Sequence, residues 1–396
     1  MPVASRNKGG VVNRRYIITA AVVVLLSVLF LLVYWCLRMG APHGNAAGPF
    51  VPDQLGTIVS PSGIAVDNAG NLYVSARKQN RVLKVSPSWW RRIHAGAVTI
   101  AAGTGDLGFG GDGGPSENAT LASPTGLAVD SAGNLFIADT GNNRIRRVDA
   151  ETHAITTVAG NGVLGAGTGK IATASPLYEP VSVAVDKDEN LYIGESASLG
   201  VLRVDGITKI VSKVIGAGLP GLPLVPEPAA GPFWVTMGES QGLFFSNPTQ
   251  NTVFWFDSAT NQIHPIAGGS ACGYSVDRGW AIGPLLCFPE GLALKGDKQL
   301  FIADTGNNRI QRVDLDTGII FTVAGAEKAG YSGDGGPAVS ARLDGPMGIA
   351  LDARGNLYIA DTGNNCIRKL DAETGVISTW VTAWDLLSTV QSGRQK

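Results

Sequence analysis

The chain has 396 residues, of which 44% are hydrophobic and 16% are charged. A chain of this length and composition can bury a large core, and its uniform repeat period excludes several unrelated domains. Five of the 31 lysine and arginine residues, and none of the 32 acids, lie in residues 1–38, so the remainder carries a net charge of about −6. An acidic surface argues against binding to nucleic acid.

An apolar segment without charged residues stands near the start of the chain. It runs from Tyr16 to Leu37 and is 22 residues long, enough to cross a bilayer as a helix. Basic residues precede it, which predicts that residues 1–15 are cytoplasmic and that everything after it lies outside the cytoplasm, in the periplasm or the extracellular space. The alternative is a signal peptide cleaved near Asn45, although the apolar region of a signal peptide is normally shorter. Residues 38–54 are predicted to form a linker.

One stretch of twelve residues recurs along the rest of the chain. The clearest copy, residues 134–145, reads NLFIADTGNNRI. Six copies begin at residues 71, 134, 190, 242, 299 and 356, and their leucines are 63, 56, 52, 57 and 57 residues apart. Repeats of this length are typical of propellers and solenoids.

Each repeat is predicted to form four short antiparallel strands. In the second repeat these are residues 126–130, 134–139, 144–149 and 154–160, with glycine and asparagine in the turns. The second strand is apolar on consecutive residues, which indicates that both of its faces are covered. We therefore predict an all-β, six-bladed β-propeller over residues 55–384, preceded by the transmembrane helix and followed by a tail at 385–396. Ring closure stays open, because residues 57–59 could add a strand to the last blade.

These motifs resemble those of the NHL-repeat family. The resemblance rests on the sequences P-T-G-L-A-V-D, N-L-F-I-A-D-T-G-N-N-R-I and I-T-T-V-A-G in the second repeat, and it covers about residues 55–382. The sequence G-D-G-G-P at 111–115 and 333–337 is similar to that in bacterial members and in the NHL region of teneurins. The resemblance implies a six-bladed propeller. It also implies binding of proteins, RNA or other ligands, with lyase or hydrolase activity in a few relatives.

The sequence Asp-Thr-Gly, which also occurs in aspartic proteases, begins at Asp139, Asp304 and Asp361. Its fixed position in the repeat favours a structural turn, in which the aspartate would accept bonds from turn amides and the glycine would adopt positive φ. The glycine-rich residues 109–114 are predicted to form a structural loop, since no series of carboxylates accompanies them. Glu195 replaces the aspartate in the third repeat. We predict that it is a turn residue, and the alternative is that it binds calcium.

Histidines are too few for the metal site of a propeller lyase. The four are His43, His94, His153 and His264, and none is expected near the propeller axis, so we predict no metal and no cofactor. Cys272 and Cys287 share one loop, and they are interpreted either as a disulfide or as two small buried side chains.

Long connections lie between the fourth strand of one repeat and the first strand of the next, at 104–123, 161–179, 217–231, 269–288 and 326–345. Strand alternation places all of them on one face, together with the Asp-Thr-Gly-Asn-Asn turns. Long loops on a rigid scaffold usually carry recognition, so this face is predicted to bind a protein or a small ligand. The candidate contact residues are Phe109, Tyr178, Tyr274, Trp280 and Tyr331. The alternative is that the loops only cover the blade ends.

The sequence thus predicts a membrane-anchored, extracytoplasmic propeller that serves as a binding scaffold. It would contact the membrane through residues 16–37 and would not bind nucleic acid. The alternative function is that of a propeller lyase or hydrolase with a metal in the central channel.

Overall fold

In the computed structural model, the described residues are 58–87, 98–165, 167–196, 200–216, 234–238, 240, 242–269, 271–274, 278–283 and 286–381. The chain divides into two units, Met1–Gln54 and Leu55–Lys396, and every described residue belongs to the second. The predicted transmembrane segment, the linker and the tail at 385–396 lie outside the described residues. Within the described ranges, no helix has the length and apolarity needed to span a bilayer.

Six antiparallel sheets of four strands form the propeller, and each sheet uses four strands that are consecutive in sequence. Blade 1 contains β1 (Pro61–Val66), β2 (Leu72–Ala76), β3 (Arg81–Val85) and β4 (Val98–Ala102); blade 2 contains β5 (Leu127–Val129), β6 (Leu135–Asp139), β7 (Arg144–Val148) and β8 (Ile155–Ala159); blade 3 contains β9 (Pro180–Val185), β10 (Leu191–Glu195), β11 (Val201–Val204) and β12 (Val211–Ile215). Blade 4 contains β13 (Trp234–Met237), β14 (Leu243–Asn247), β15 (Thr252–Asp257) and β16 (Gln262–Gly268); blade 5 contains β17 (Pro289–Lys295), β18 (Gln299–Asp304), β19 (Arg309–Asp314) and β20 (Ile319–Ala324); blade 6 contains β21 (Pro346–Leu351), β22 (Leu357–Asp361), β23 (Cys366–Leu370) and β24 (Ile377–Val381). The predicted six-bladed, all-β architecture is confirmed.

Short 3-10 helices complete the blades. Five join the second strand of a blade to the third, at Arg77–Gln79, Thr140–Asn142, Pro248–Gln250, Thr305–Asn307 and Thr362–Asn364. Three more lie in the long loops, at Ser116–Asn118, Ala172–Ala174 and Ala338–Ser340.

The ring closes directly between the first and last blades. Strand β1 packs beside β21, and the Thr362 hydroxyl donates to the Pro61 carbonyl across this junction at 2.7 Å. Blade 6 takes its outermost strand, β24, from its own segment. Ile58 does not extend that blade, and instead its side chain is fully buried among apolar residues of blades 1 and 6. The closure that the sequence left open therefore uses apolar packing and side-chain hydrogen bonds.

Glycines let the innermost strands converge. A Cβ atom on Gly126 of blade 2 would lie 2.5 Å from Ser182 Cα of blade 3, and one on Gly63 of blade 1 would lie 2.1 Å from the Thr125 carbonyl oxygen. Neither position has room for any other residue. The small residues of the first strands are thus required where adjacent blades approach each other around the axis.

Candidate functional site: the long-loop face

The sequence Asp-Thr-Gly-Asn-Asn, here called the anchor pentapeptide, fastens the long loops to the ring. In blade 2, the Asp139 carboxylate accepts a hydrogen bond from the Ala122 amide, in the preceding long loop, at 2.7 Å. It also accepts one from the side chain of Asn142, which in turn donates to the Gly108 carbonyl. The same carboxylate-to-loop bond, each 2.7 Å long, joins Asp304 to Cys287, Asp361 to Asp344 and Glu195 to Tyr178.

The other two polar residues of the anchor pentapeptide reach the next blade. The Thr140 hydroxyl donates to the Pro180 carbonyl of blade 3 at 2.7 Å, and the Asn143 side-chain oxygen accepts from the Glu179 amide at 3.1 Å. Every polar residue of the pentapeptide therefore bonds its own long loop, the next long loop or the neighbouring blade. The long loops and the pentapeptide lie on one face, as predicted.

Two expectations about this turn were wrong. Asp139 makes no side-chain hydrogen bond to the turn amides, because its oxygens are used by the loop and by other side chains. The positive φ belongs to Asn143, at 51°, and not to Gly141. Gly141 is needed for space, since a Cβ there would lie 2.9 Å from the Ala122 Cβ.

Buried arginines complete these anchors. Arg146, on β7, has no exposed side-chain surface and contacts Asp139 at 3.3 Å and Asp112 at 2.6 Å. Burial raises the pKa of the Asp139 carboxyl, and the bonds from Ala122, Asn142 and Arg146 oppose that rise. This carboxylate is fully buried and is paired with an arginine, so it cannot reach a substrate. Its role is therefore structural.

Blades 5 and 6 build the same pair with small changes. Arg368 in blade 6 repeats the position of Arg146 and contacts Asp334 at 2.7 Å. In blade 5, Gln311 takes that position, and Arg309 turns inward instead to contact Asp304 at 2.8 Å. Burial also raises the pKa of Asp361, to about 6.

Three of the five predicted contact residues share one structural position. The Phe109 ring lies 3.6 Å from the Arg144 guanidinium carbon and 4.9 Å from that of Arg146. Tyr274 lies over Arg309, at 3.9 Å, and Tyr331 lies over Arg368, at 5.0 Å. Each ring uses one face to cover an arginine and remains roughly half exposed on the long-loop face.

Tyr178 and Trp280 lie elsewhere. Tyr178 is partly buried, at the position where a long loop is bonded to Glu195. Trp280 pairs with Ile319 along the outer edge of blade 5, and its ring lies 3.7 Å from the Cβ position of Gly318, in a turn of the opposite face. The prediction that Trp280 is on the long-loop face was wrong, because the loop leaves that face to cover the blade edge.

The loops cover other blade edges in the same way. Gly113 donates to the Ile155 carbonyl and Gly114 accepts from the Ile155 amide, so the loop adds a short segment beside the outermost strand of blade 2. Covering an edge in this way blocks pairing with another chain. The glycine-rich loop is therefore structural, as predicted, and Asp112 in it bonds Arg146 and Thr157.

Three further apolar residues are exposed on the long-loop face. Leu107, Val163 and Leu164 expose 73%, 61% and 55% of their surface. Arg144 lies between the two loops that carry these residues, because its guanidinium lies against the Phe109 ring and donates to the carbonyl of Asn161. We call Leu107, Phe109, Val163 and Leu164 the apolar patch. The sequence contained a signal for it, since these residues stand in glycine-rich loops where no strand pattern requires apolar side chains.

Comparisons with known proteins agree with this architecture. A family model for the teneurin NHL domain matches residues 64–166 and 327–393. The human protein named NHL repeat-containing protein 2 is 28% identical over 265 residues, which are 64% of this chain and 32% of that protein. This chain is an NHL-repeat protein.

The NHL propeller is also similar to part of larger proteins. SUPPRESSOR OF QUENCHING 1 of Arabidopsis thaliana is 29% identical over 290 residues, which are 69% of this chain and 27% of that protein. The chain thus spans about a third or less of the length of these two relatives. Among solved structures, an auxiliary nutrient binding protein from Bacteroides thetaiotaomicron superposes with a TM-score of 0.57 at 15% identity, covering 82% of this chain and 70% of that one. This similarity shows the fold alone.

A disulfide lies at the base of one long loop of the NHL propeller. Cys272 and Cys287 are bonded, with their Cα atoms 4.5 Å apart. The bond joins the part of the loop that carries Tyr274 to Cys287, whose amide donates a hydrogen bond to Asp304. It therefore adds a covalent link to an anchor that the other blades make with hydrogen bonds alone.

No group of three or more histidine, cysteine, aspartate or glutamate side chains that could hold a metal ion occurs among the described residues of the NHL propeller. Of the four histidines, His43 and His94 lie outside those residues. Glu195 is fully buried and bonds the Tyr178 amide, so it is the anchor acid of blade 3.

Proposed function

We propose that this NHL propeller is a membrane-anchored, extracytoplasmic scaffold that binds a protein partner on its long-loop face. The single observation that carries the proposal is the apolar patch. Large apolar side chains exposed on neighbouring loops are typical of protein interaction sites. Partly exposed rings fixed by arginines are suited to such contacts, because little side-chain entropy is lost when they bind.

The anchor pentapeptides support the proposal. They bond the long loops to two blades at a time, so the patch stands on loops whose backbone positions are already fixed. A preformed surface loses less conformational entropy on association than a flexible one. The apolar segment at residues 16–37 supports anchoring to a membrane, and a disulfide is typical of compartments outside the cytoplasm.

Photo-crosslinking in intact cells tests the proposed surface. A photoreactive amino acid at Val163 is expected to capture a defined protein. The same amino acid at Ile207, which is 91% exposed in a turn of the opposite face, is not. Equal capture from both positions would contradict the proposal.

A matched pair of variants tests the role of the apolar side chains. The double variant Leu107→Glu with Leu164→Glu is expected to reduce recovery of the captured protein at least tenfold, because it places charges inside the contact. Ile207→Glu, which adds one such charge on the other face, should leave recovery unchanged. Protease digestion of intact cells tests the topology, since an extracytoplasmic propeller must be accessible from outside.

A further inference from the structure

A cleft of about 510 Å³ opens between blades 2 and 3, and Ile171, Ala172 and Thr173 of the long loop 161–179 line part of it. Its rim is formed by Asp130, Glu189 and Lys209, which lie in turns of the opposite face. Phe136, Leu191 and Val204 form an apolar wall inside it. Clefts of this size, with apolar walls and a few polar groups at the mouth, are typical of small-molecule sites.

Phe136 distinguishes this cleft from the corresponding positions in the other three blades whose preceding turn carries an aspartate. Blades 1, 3 and 6 carry a tyrosine on the second strand, and its hydroxyl donates to the aspartate of the preceding turn. The three pairs are Tyr73 with Asp67 at 3.3 Å, Tyr192 with Asp186 at 3.3 Å, and Tyr358 with Asp352 at 3.4 Å. Blade 2 has Phe136 at this position and therefore lacks the hydroxyl.

The aspartate of blade 2 is otherwise unchanged. Asp130 Oδ1 accepts from the amides of Ala132 and Asn134, and Oδ2 accepts from the Asn134 side chain at 2.7 Å, as in the other blades. Its carboxylate thus faces the cleft with one donor fewer than its three counterparts receive. An ionised carboxylate can accept about four hydrogen bonds, so it retains capacity for a donor supplied from outside.

The charges at the mouth favour a donor over an acceptor. Of the two cations that line the cleft, Arg147 is already bonded to Asp149 at 2.9 Å, whereas Glu189 adds a second carboxylate at the rim. Lys209 also lines the cleft and is exposed to solvent. An ammonium or hydroxyl group on the ligand would meet Asp130, and its apolar body would lie against Phe136 and Leu191.

We propose that this cleft binds a small amphipathic molecule that joins an apolar body to a hydrogen-bond donor, either an ammonium or a hydroxyl group. The donor bonds Asp130 in the place that a tyrosine hydroxyl occupies in blades 1, 3 and 6. None of the apolar-patch residues lines this cleft, and the proposal does not depend on the function proposed above.

The test uses the full chain in detergent and three probes: benzylamine, benzyl alcohol and benzoate. Ligand-detected NMR titration is expected to show saturable binding of benzylamine and benzyl alcohol, and at least tenfold weaker binding of benzoate. Phe136→Tyr supplies the missing hydroxyl to Asp130 and should weaken both binding probes at least tenfold. Three blades already carry this tyrosine, so the variant is expected to melt at the same temperature as the wild type or higher.

Phe301→Tyr is the matched control. Phe301 occupies the same position in blade 5, but Lys295 stands there in place of the aspartate, so the added hydroxyl should leave probe binding unchanged. A second variant, Asp130→Asn, keeps an acceptor for the turn and should weaken benzylamine more than benzyl alcohol, because the charge is lost. The proposal is overturned if no probe saturates the wild type, if benzoate binds as well as benzylamine, or if Phe136→Tyr binds like Phe301→Tyr.

Discussion

Replacing Arg146 by leucine should destabilise the propeller far more than replacing its neighbour Arg147. Arg146 is fully buried and contacts two carboxylates, Asp139 and Asp112. Its loss leaves the Asp139 carboxylate buried without a cation. Removing one partner of a buried ion pair costs about 3–5 kcal/mol.

Arg147 provides the matched control, because it lies one residue away and pairs with Asp149 at the surface. Both side chains of that pair are about 30% exposed, at 32% and 29%. Exposed pairs of this kind contribute about 1 kcal/mol or less. The two substitutions therefore remove the same charge from the same strand and differ in burial.

Thermal unfolding measures the difference. A propeller of this size should lose about 1.5 °C per kcal/mol, so Arg146→Leu should lower Tm by roughly 5–8 °C and Arg147→Leu by about 2 °C or less. Circular dichroism and tryptophan fluorescence must give the same midpoints for this comparison to hold. Equal shifts for the two variants would show that the buried pair does not anchor the loops.

Three other predictions concern single contacts. Thr362→Val removes the donor to Pro61 where the ring closes and should cost about 1–3 kcal/mol, measured by urea unfolding, with faster amide exchange in the first and last blades. The Asp361 pKa is about 6 in the folded state, above its ordinary value of 3.8. The folded state thus holds a proton that the unfolded state loses, so stability should fall on the order of 3 kcal/mol from pH 4 to pH 6, and the Asp361→Asn variant should lack this component. Reducing the disulfide between Cys272 and Cys287 should lower stability by about 2–4 kcal/mol, and Cys272→Ser should remove the effect of reductant on Tm.

The number of blades and of strands in each blade could be predicted from the sequence, because each is a local property. Runs of apolar residues bounded by Asp-Thr-Gly-Asn-Asn give the strand and its turn, and the spacing of the leucines gives six units. The roles of Asp139 and Thr140 could not be predicted in this way. Their partners, Ala122 and Pro180, are 17 and 40 residues away, and one of them lies in a different blade.

The placement of the aromatic residues shows the same limit. Phe109, Tyr274 and Tyr331 stand in the first part of their loops, before the loop reaches the blade edge, and they lie on the long-loop face. Trp280 stands where Pro115 stands in the sequence G-D-G-G-P, at the blade edge. Aligning the loops with one another would have separated it from the other three, whereas loop membership alone could not.

Residues that recur in several repeats and residues that occur in only one serve different purposes in this molecule. The anchor pentapeptide, its acid and its asparagines satisfy a need that every junction between blades shares, so they recur around the ring. A ligand or a partner contacts only some of the blades, and the residues that meet it have no reason to recur. The apolar patch belongs to the loops that flank blade 2. Four blades have an aspartate in the turn before the second strand, and blade 2 is the one among them in which phenylalanine, Phe136, replaces the tyrosine of that strand. Departures from the repeat, more than the repeat itself, therefore indicate where this propeller binds.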